Sequence, residues 1–187
     1  TFFLLEHPFS FLPSDQGRAF AVNGSLSKGK LRGVGFIFVL CFLISSVLFL
    51  PLDVEYVIYG ILLFAMMISG YLDDASKTPW NEYKKGLIDL VISVVAVLTY
   101  MNFNSTTICF GADEIVIPKA LFLILGVILI WVSVNVTNCT DGVDGLCASL
   151  CSVTLLAFGV LFASVLQKYA MANFLFLSVL FAYLYFN

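Results

Sequence analysis

The sequence predicts an all-α integral membrane protein with about six spans and one small exterior β-hairpin. Of its 187 residues, 61% are hydrophobic and only 11% are charged, whereas a soluble domain carries about 25% charged residues. The apolar residues are grouped in long runs, and a spanning helix needs about 20 mainly apolar residues. These observations exclude an ordinary soluble domain and indicate a polytopic helical protein.

Six apolar runs define the predicted spans, and a polar segment at residues 6–33 precedes them. The runs are residues 34–52, 56–72, 87–103, 120–134, 146–166 and 170–186. Several runs are shorter than a full span, and we expect their flanks to extend them. Between the third and fourth runs, residues 104–118 alternate moderately between polar and apolar types on both sides of Gly111-Ala112-Asp113, which predicts the hairpin.

The positions of the basic residues predict which loops share a side of the membrane. With six spans, residues 6–33, 73–86, 135–145 and the C-terminal end fall together. This side holds seven of the nine Lys and Arg residues: Arg18, Lys28, Lys30, Arg32, Lys77, Lys84 and Lys85. The positive-inside rule places it in the cytoplasm. The basic residues are few and spread along loops, so they give no support for nucleic-acid binding.

The two ends of the sequence lack the features expected of a complete membrane protein. Thr1 is not an initiator Met, no basic segment of a signal peptide precedes an apolar one, and the last residue lies at an apolar run. We therefore expect residues 1–187 to be a single transmembrane domain truncated at both ends. The five cysteines form no CxxC pair, and we interpret them as small packing residues.

Two adjacent carboxylates, Asp73 and Asp74, follow the second apolar run directly. At the C-terminus of a helix they oppose the negative end of the helix dipole, and they also repel each other. A bound cation would relieve both penalties. The alternative interpretation is a helix end whose carboxylates are simply solvated.

A second polar cluster lies between the fourth and fifth runs and contains Asn135, Asn138, Asp141 and Asp144 together with two glycines. These four residues are spaced by three positions, so continued helical turns would place them along one strip. The glycines allow bends or the close approach of a ligand. The alternative interpretation is a plain turn in which Asn138 or Asp141 caps the next helix.

Both clusters fall on the predicted cytoplasmic side, together with most of the basic residues. Carboxylate and amide oxygens suit a hard divalent cation, and Mg²⁺ takes phosphate oxygens as further partners. Lysines such as Lys28 and Lys85 suit the phosphates themselves, although positive-inside topology alone also accounts for them. The combination predicts diphosphate chemistry at the inner face of a bilayer.

Two motifs carry a family resemblance. Gly-x-x-Asp-Asp at residues 70–74, followed by Asn-x-x-Asn-x-Thr-Asp-Gly-x-Asp-Gly-Leu at residues 135–146, resembles the polyprenyl-phosphate N-acetylhexosamine-1-phosphate transferases. The resemblance extends from about Gln16 to the end, and it is greatest to the branch that acts in peptidoglycan synthesis. It implies a ten-span homodimer in the bacterial plasma membrane, of which this chain is the N-terminal portion, with a Mg²⁺ site on the cytoplasmic face.

The resemblance also implies a reaction and a set of site residues. The phospho-MurNAc-pentapeptide group would pass from UDP-MurNAc-pentapeptide to undecaprenyl phosphate, with release of UMP and formation of lipid I. It implies three catalytic residues, two metal ligands and three substrate-binding residues. They are Asp73, Asp74 and Asp141 for catalysis, Asn138 and Asp74 for the metal, and Asn135, Asn138 and Asp144 for the substrates. Lys28 and Lys85 are added as substrate-binding residues because of their charge beside the clusters, since the lysine that the family carries after the Asp pair has no clear counterpart here.

The chain departs from the family pattern in three segments. The usual Thr-Met-Gly-Gly after the first cytoplasmic loop is present only as Arg32-Gly33-Val34-Gly35. A later Gly-Asp-x-Gly-Ser segment, which supplies a principal metal-binding Asp in the family, is absent from the sequence, and so is a His-rich cytoplasmic loop; His7 is the only histidine. A sister transferase that uses UDP-GlcNAc would share every motif that is present. An ion-coupled transporter is the alternative from another class, but transporter acids lie near mid-bilayer, whereas only Asp89 lies inside a predicted span here.

Overall fold

The computed structural model describes residue 1, residue 4 and residues 12–13, 33–76, 78, 80–110, 113–140 and 145–186. These residues form six helices and one two-stranded antiparallel hairpin: α1 (Gly35–Phe49), α2 (Val54–Ala75), α3 (Glu82–Phe103), β1 (Thr107–Phe110), β2 (Asp113–Val116), α4 (Lys119–Thr140), α5 (Leu146–Phe162) and α6 (Gln167–Phe186). The predicted all-α class with one small hairpin is confirmed.

Four helices are long and apolar enough to cross a membrane. The spanning segments are Val54–Ala75, Glu82–Phe103, Lys119–Asn138 and Gln167–Tyr185. Helices α1 and α5 are equally apolar but have only 15 and 17 residues, whereas a full span takes about 20. Each of the six predicted apolar runs therefore forms a helix, and four of these helices reach spanning length. The chain is a multi-pass membrane protein.

Proline and a capping side chain set the boundary between α1 and α2. Helix α1 ends at Phe49 rather than continuing to residue 52, because Leu50 precedes Pro51 and has an extended backbone, with φ −99° and ψ 146°. Helix α2 then begins at Val54. The side chain of Asp53 caps it, since Oδ1 accepts the backbone N–H of Tyr56 at 2.9 Å.

Two other helices begin earlier than their apolar runs. The Asn81 side chain accepts the N–H of Tyr83 at 3.2 Å and caps α3, which starts at Glu82. Lys84 and Lys85 therefore belong to the first turn of α3, and the prediction that residues 73–86 form one loop is wrong at both ends. Similarly, residues 167–169, which separate the last two apolar runs of the sequence, are already helical, and the chain turns at residues 163–166 instead.

The described residues divide into two compact units. Unit 1 comprises Thr1–Pro51, Met67–Trp80 and Ala148–Asn187, and unit 2 comprises Leu52–Met66 and Asn81–Cys147. The single domain over residues 1–187 stays a prediction. Within unit 1, aromatic rings join α1 to α6: Phe42 lies 4.7 Å from Phe176, and Phe38 lies 5.2 Å from Tyr183, between ring centroids.

Within unit 2, α3 and α4 pack as an antiparallel pair. The rings of Tyr100 and Phe122 stack at 5.6 Å near the hairpin. Further along, a Cβ at Gly126 would lie only 3.0 and 3.2 Å from the two methyl groups of Val97, so glycine permits a close approach of the helices. The hairpin pairs Thr107 with Val116 and ends with Phe110 opposite Asp113. Asp113 therefore begins β2, whereas the sequence pattern placed it in the turn.

Candidate functional site

Asp73 and Asp74 lie in the last turn of α2, as the sequence predicted, and both are half-buried. The Asp73 carboxylate has a defined local partner, because Oδ1 accepts the backbone N–H of Trp80 at 2.8 Å. The Ser76 hydroxyl donates to the backbone carbonyl of Asp73 at 2.7 Å. Asp73 therefore holds the chain that follows α2 close to the end of the helix.

The ring of Tyr71 supports the same turn of α2 from one side. It lies 5.3 Å from the ring of Phe36 in α1, between centroids. Since Tyr71 is two residues before Asp73, this contact packs the C-terminal end of α2 against the start of α1. The acidic pair thus sits on a helix end that is held by packing as well as by hydrogen bonds.

Asn135 and Asn138 lie on a continuous helix. Helix α4 runs to Thr140, six residues beyond the apolar run that predicted it, so the expected continuation of helical turns is confirmed as far as Thr140. Helix α5 starts only at Leu146, which excludes Asn138 as its N-cap. Asn135 is half-buried and Asn138 is exposed. Asn135 Nδ2 donates to the carbonyl of Trp131 at 2.8 Å, and its amide oxygen is not used in that bond.

A side chain that the sequence analysis did not select connects α4 to α3. The indole N–H of Trp131 donates to the backbone carbonyl of Gly86 at 2.8 Å. Gly86 directly follows Lys85, and Trp131 lies one turn before Asn135. The bond therefore brings Lys85 and Asn135 to the same end of the α3–α4 pair. The spacing of 131, 135 and 138 along one helical face was the signal that could have identified Trp131.

Two further contacts shape the ends of the second motif. Gly145 has φ 75°, a left-handed conformation that favours glycine, so the bend expected at this position is confirmed. The thiol of Cys147 donates to the carbonyl of Thr137 at 3.7 Å. This weak bond ties the first turn of α5 to the last turns of α4. Cys147 thus has a local structural role, in keeping with the packing role predicted for the cysteines.

Three of the predicted site residues are not among those that the structure describes. Asp141, Asp144 and Lys28 lie outside the described residues. Asp73 and Asp74 belong to unit 1, whereas Lys85, Asn135 and Asn138 belong to unit 2. The convergence of all these groups stays a prediction. Asp89, the intramembrane acid, lies one turn from Lys85 on α3.

The donor chemistry of Asp74 and Asn138 fits a magnesium ion. Carboxylate and amide oxygens are hard donors of the kind that Mg²⁺ takes, alongside water and phosphate. Among the residues with a described position, no group of three or more His, Cys, Asp or Glu side chains is gathered in a way that could hold a metal. Mg²⁺ stays a prediction.

Comparison with known proteins identifies a family model and several relatives that this chain matches. Residues 56–187 match the family model described as glycosyl transferase family 4. The chain is 35% identical over 180 residues to the phospho-N-acetylmuramoyl-pentapeptide-transferases of two strains of Treponema pallidum, one of them the Nichols strain. Each alignment covers 94% of this chain and 50% of the relative.

A more distant relative carries the same name. The phospho-N-acetylmuramoyl-pentapeptide-transferase of Gloeothece citriformis is 28% identical over 120 residues, which covers 59% of this chain and 33% of the relative. No solved structure matches the chain significantly. The chain spans about half the length of the Treponema relatives that it matches.

Proposed function

This chain belongs to glycosyl transferase family 4, and we propose that the protein containing it transfers phospho-MurNAc-pentapeptide from UDP-MurNAc-pentapeptide to undecaprenyl phosphate. The observation that carries the proposal is the 35% identity to the Treponema pallidum transferase over 94% of this chain. The aligned region contains both the acidic pair on α2 and the amides on α4. This match confirms the family resemblance that the two sequence motifs predicted.

The proposed reaction transfers a phospho-sugar group from a nucleoside diphosphate sugar to a lipid monophosphate. An oxygen of the lipid phosphate attacks the β-phosphorus of the UDP-sugar, the bond from that phosphorus to the bridging oxygen breaks, and UMP leaves with that oxygen. The new diphosphate is lipid I. The attacking and leaving oxygens must be held roughly in line, so most of the work of the protein is positioning and charge stabilisation.

The site residues take roles that follow their chemistry. Asp73 and Asp74 supply carboxylates beside the attacking lipid phosphate, and Asp141 completes the catalytic set. Asp74 and Asn138 would hold Mg²⁺, which when bound offsets the charge that develops on the phosphates. Lys85 and Lys28 bind phosphate oxygens.

The amide of Asn135 and the carboxylate of Asp144 contact the UDP-sugar in this proposal. Asn135 enters this role with one N–H already donated to Trp131 O at 2.8 Å. The orientation of its amide is therefore set by the helix. Its oxygen can then accept a hydrogen bond from the donor substrate or bind a cation.

We place the reaction on the cytoplasmic face of the plasma membrane. The positive-inside rule supports this placement, because seven of the nine Lys and Arg residues fall on the same predicted side as the acidic pair. A homodimer is also part of the proposal, by resemblance. The match to a glycosyl transferase family is evidence against the ion-coupled transporter, which the sequence left as an alternative.

The experiment is a transfer assay on the full-length protein with radiolabelled UDP-MurNAc-pentapeptide and undecaprenyl phosphate. Asp74→Asn should lower turnover by at least about 100-fold, because a positioned carboxylate contributes about that much or more. Asp113→Asn, in the exposed strand β2, is the matched control and should leave turnover unchanged. Turnover with UDP-GlcNAc instead of UDP-MurNAc-pentapeptide would replace this proposal by the sister activity.

A further inference from the structure

The hydrogen bond from Trp131 to Gly86 joins α3 and α4 in a different way from the ring and methyl contacts further along the pair. Near the hairpin and at mid-helix, the pair is held by apolar packing at Tyr100–Phe122 and Val97–Gly126. Packing of this kind sets the distance between two helices. A hydrogen bond weakens steeply as its angle departs from linear. The bond to Gly86 therefore constrains rotation as well as distance.

The rotation of α4 decides where its amides point. Trp131, Asn135 and Asn138 are spaced by four and three residues, so they lie on one face of the helix. Trp131 reaches α3 through Gly86, so a rotation of α4 about its axis would move this hydrogen bond and the two amides together. A rotation of α4 by about 20° would move a side-chain oxygen on this face by about 2 Å. Misplacement of a substrate-positioning group by about 1 Å can cost about 100-fold in rate.

We propose that Trp131 is a positioning residue. Its indole N–H, bonded to the Gly86 carbonyl, sets the rotation of α4 and thereby the direction in which the amides of Asn135 and Asn138 project, at the end of the helix pair that carries Lys85. Trp131 touches no reacting atom in this proposal. The inference rests on the proposed function for the identity of what the amides bind.

The local chemistry supports such a role. The bonded N–H lies on a membrane-spanning helix, and a polar group in hydrocarbon without a partner is costly. The Gly86 carbonyl has two lone pairs, so it can accept from the indole in addition to the helical N–H four residues later. Trp131 also receives the Asn135 side-chain bond on its own carbonyl at 2.8 Å. One residue thereby orients both the helix and the nearer amide.

The chain offers matched variants that separate this role from general packing. Trp131→Phe keeps an aromatic ring and removes the N–H, whereas Trp131→His can donate again from ring Nε2. Gly86→Ala keeps the accepting carbonyl, and its Cβ would lie 3.7 Å from Trp131 Cζ2, an ordinary contact. Phe122→Leu disturbs the same pair of helices at its other end.

The test measures steady-state transfer by the full-length protein with each substrate varied in turn. Trp131→Phe should lower kcat/KM for UDP-MurNAc-pentapeptide by about tenfold and leave KM for undecaprenyl phosphate unchanged. Trp131→His should recover at least half of that loss, and Gly86→Ala should match the wild type. Phe122→Leu should not change the ratio of kcat/KM between the two substrates, because a loss of packing alone affects both alike.

The outcomes distinguish this inference from the proposed function. A wild-type protein that transfers no phospho-sugar would refute the function itself. If Trp131→Phe leaves the wild-type activity intact, the positioning role alone is overturned. The same holds if Phe122→Leu lowers kcat/KM for UDP-MurNAc-pentapeptide and leaves KM for undecaprenyl phosphate unchanged, as expected for Trp131→Phe. Hydrogen exchange of the ¹⁵N-labelled indole N–H provides a check without activity, even if Trp131→Phe fails to fold. Slow exchange in the wild type supports the bond, and fast exchange overturns it.

Discussion

The carboxylate of Glu55 accepts a hydrogen bond from the side-chain amide of Asn104 at 2.7 Å, across 49 positions of sequence. The same oxygen accepts the hydroxyl of Tyr59 at 3.0 Å. Glu55 is only 6% exposed, and a buried carboxylate is costly unless donors surround it. The pair therefore ties the first turn of α2 to the residue that ends α3 and leads into the hairpin.

Replacing Glu55 by Leu should destabilise the protein by about 2–4 kcal/mol, because Tyr59 and Asn104 both lose their acceptor. Glu55→Gln keeps a carbonyl oxygen for both donors and should cost less than half as much. Thermal unfolding in detergent, followed by circular dichroism, measures the two variants. Equal losses would show that the charge of Glu55, and not its hydrogen bonds, supports this end of the structure.

Gly126→Ala should destabilise the α3–α4 pair by about 1–2 kcal/mol. The added Cβ would lie 3.0 and 3.2 Å from the methyl groups of Val97, and a β-branched side chain has little rotamer freedom to move away. The control is Gly70→Ala, where nothing lies within 4 Å of the new Cβ. It should be neutral or stabilising. A Val97→Ala change added to Gly126→Ala should recover part of the loss, and additive losses would contradict the contact.

Removal of divalent cations should stop the proposed transfer, and Mg²⁺ should restore it. Asn138→Ala should raise the Mg²⁺ concentration needed for half-maximal rate by about tenfold, which is the lower range for loss of a group that orients a metal site. Asn102→Ala changes another exposed asparagine on a helix of unit 2 and serves as the control. An unchanged metal requirement in Asn138→Ala would remove Asn138 from the metal site.

The two predicted sides of the membrane can be tested by labelling single cysteines in a cysteine-free background. In intact cells, a membrane-impermeant maleimide should react with Glu114→Cys in β2 and not with Thr78→Cys after α2. Both residues are exposed in the structure, so burial does not account for a difference. Permeabilised cells should label both positions. Labelling of Thr78→Cys in intact cells would place the acidic pair on the exterior and contradict the cytoplasmic site.

The sequence predicted all six described helices but misplaced several of their ends. Hydropathy marks the part of a helix that lies in hydrocarbon, whereas backbone hydrogen bonding continues into polar residues. This explains why α4 extends through Asn135 and Asn138 to Thr140, and why α3 begins at Glu82 before the apolar run. The caps at Asp53 and Asn81 are local signals that could have been recognised from their residue types.

The long-range pairs could not be predicted in the same way. The bonds from Trp131 to Gly86 and from Asn104 to Glu55 join residues 45 and 49 positions apart, and no local pattern specifies such partners. Asp73 illustrates the intermediate case. Its place at a helix end was predicted from the adjacent apolar run, but its bond to the Trp80 N–H depends on the path of the chain after α2.

The extension of α4 through its last turns has a consequence for ligand binding. Asn135 and Asn138 are held three residues apart on one rigid rod, so they are separated by about 4.5 Å along its axis before any substrate arrives. Two groups placed in advance lose little conformational entropy when a ligand meets them. In the proposed site these two amides are therefore preorganised. Substitutions at the two amides should be strongly non-additive, because both would contact the same ligand from one helix.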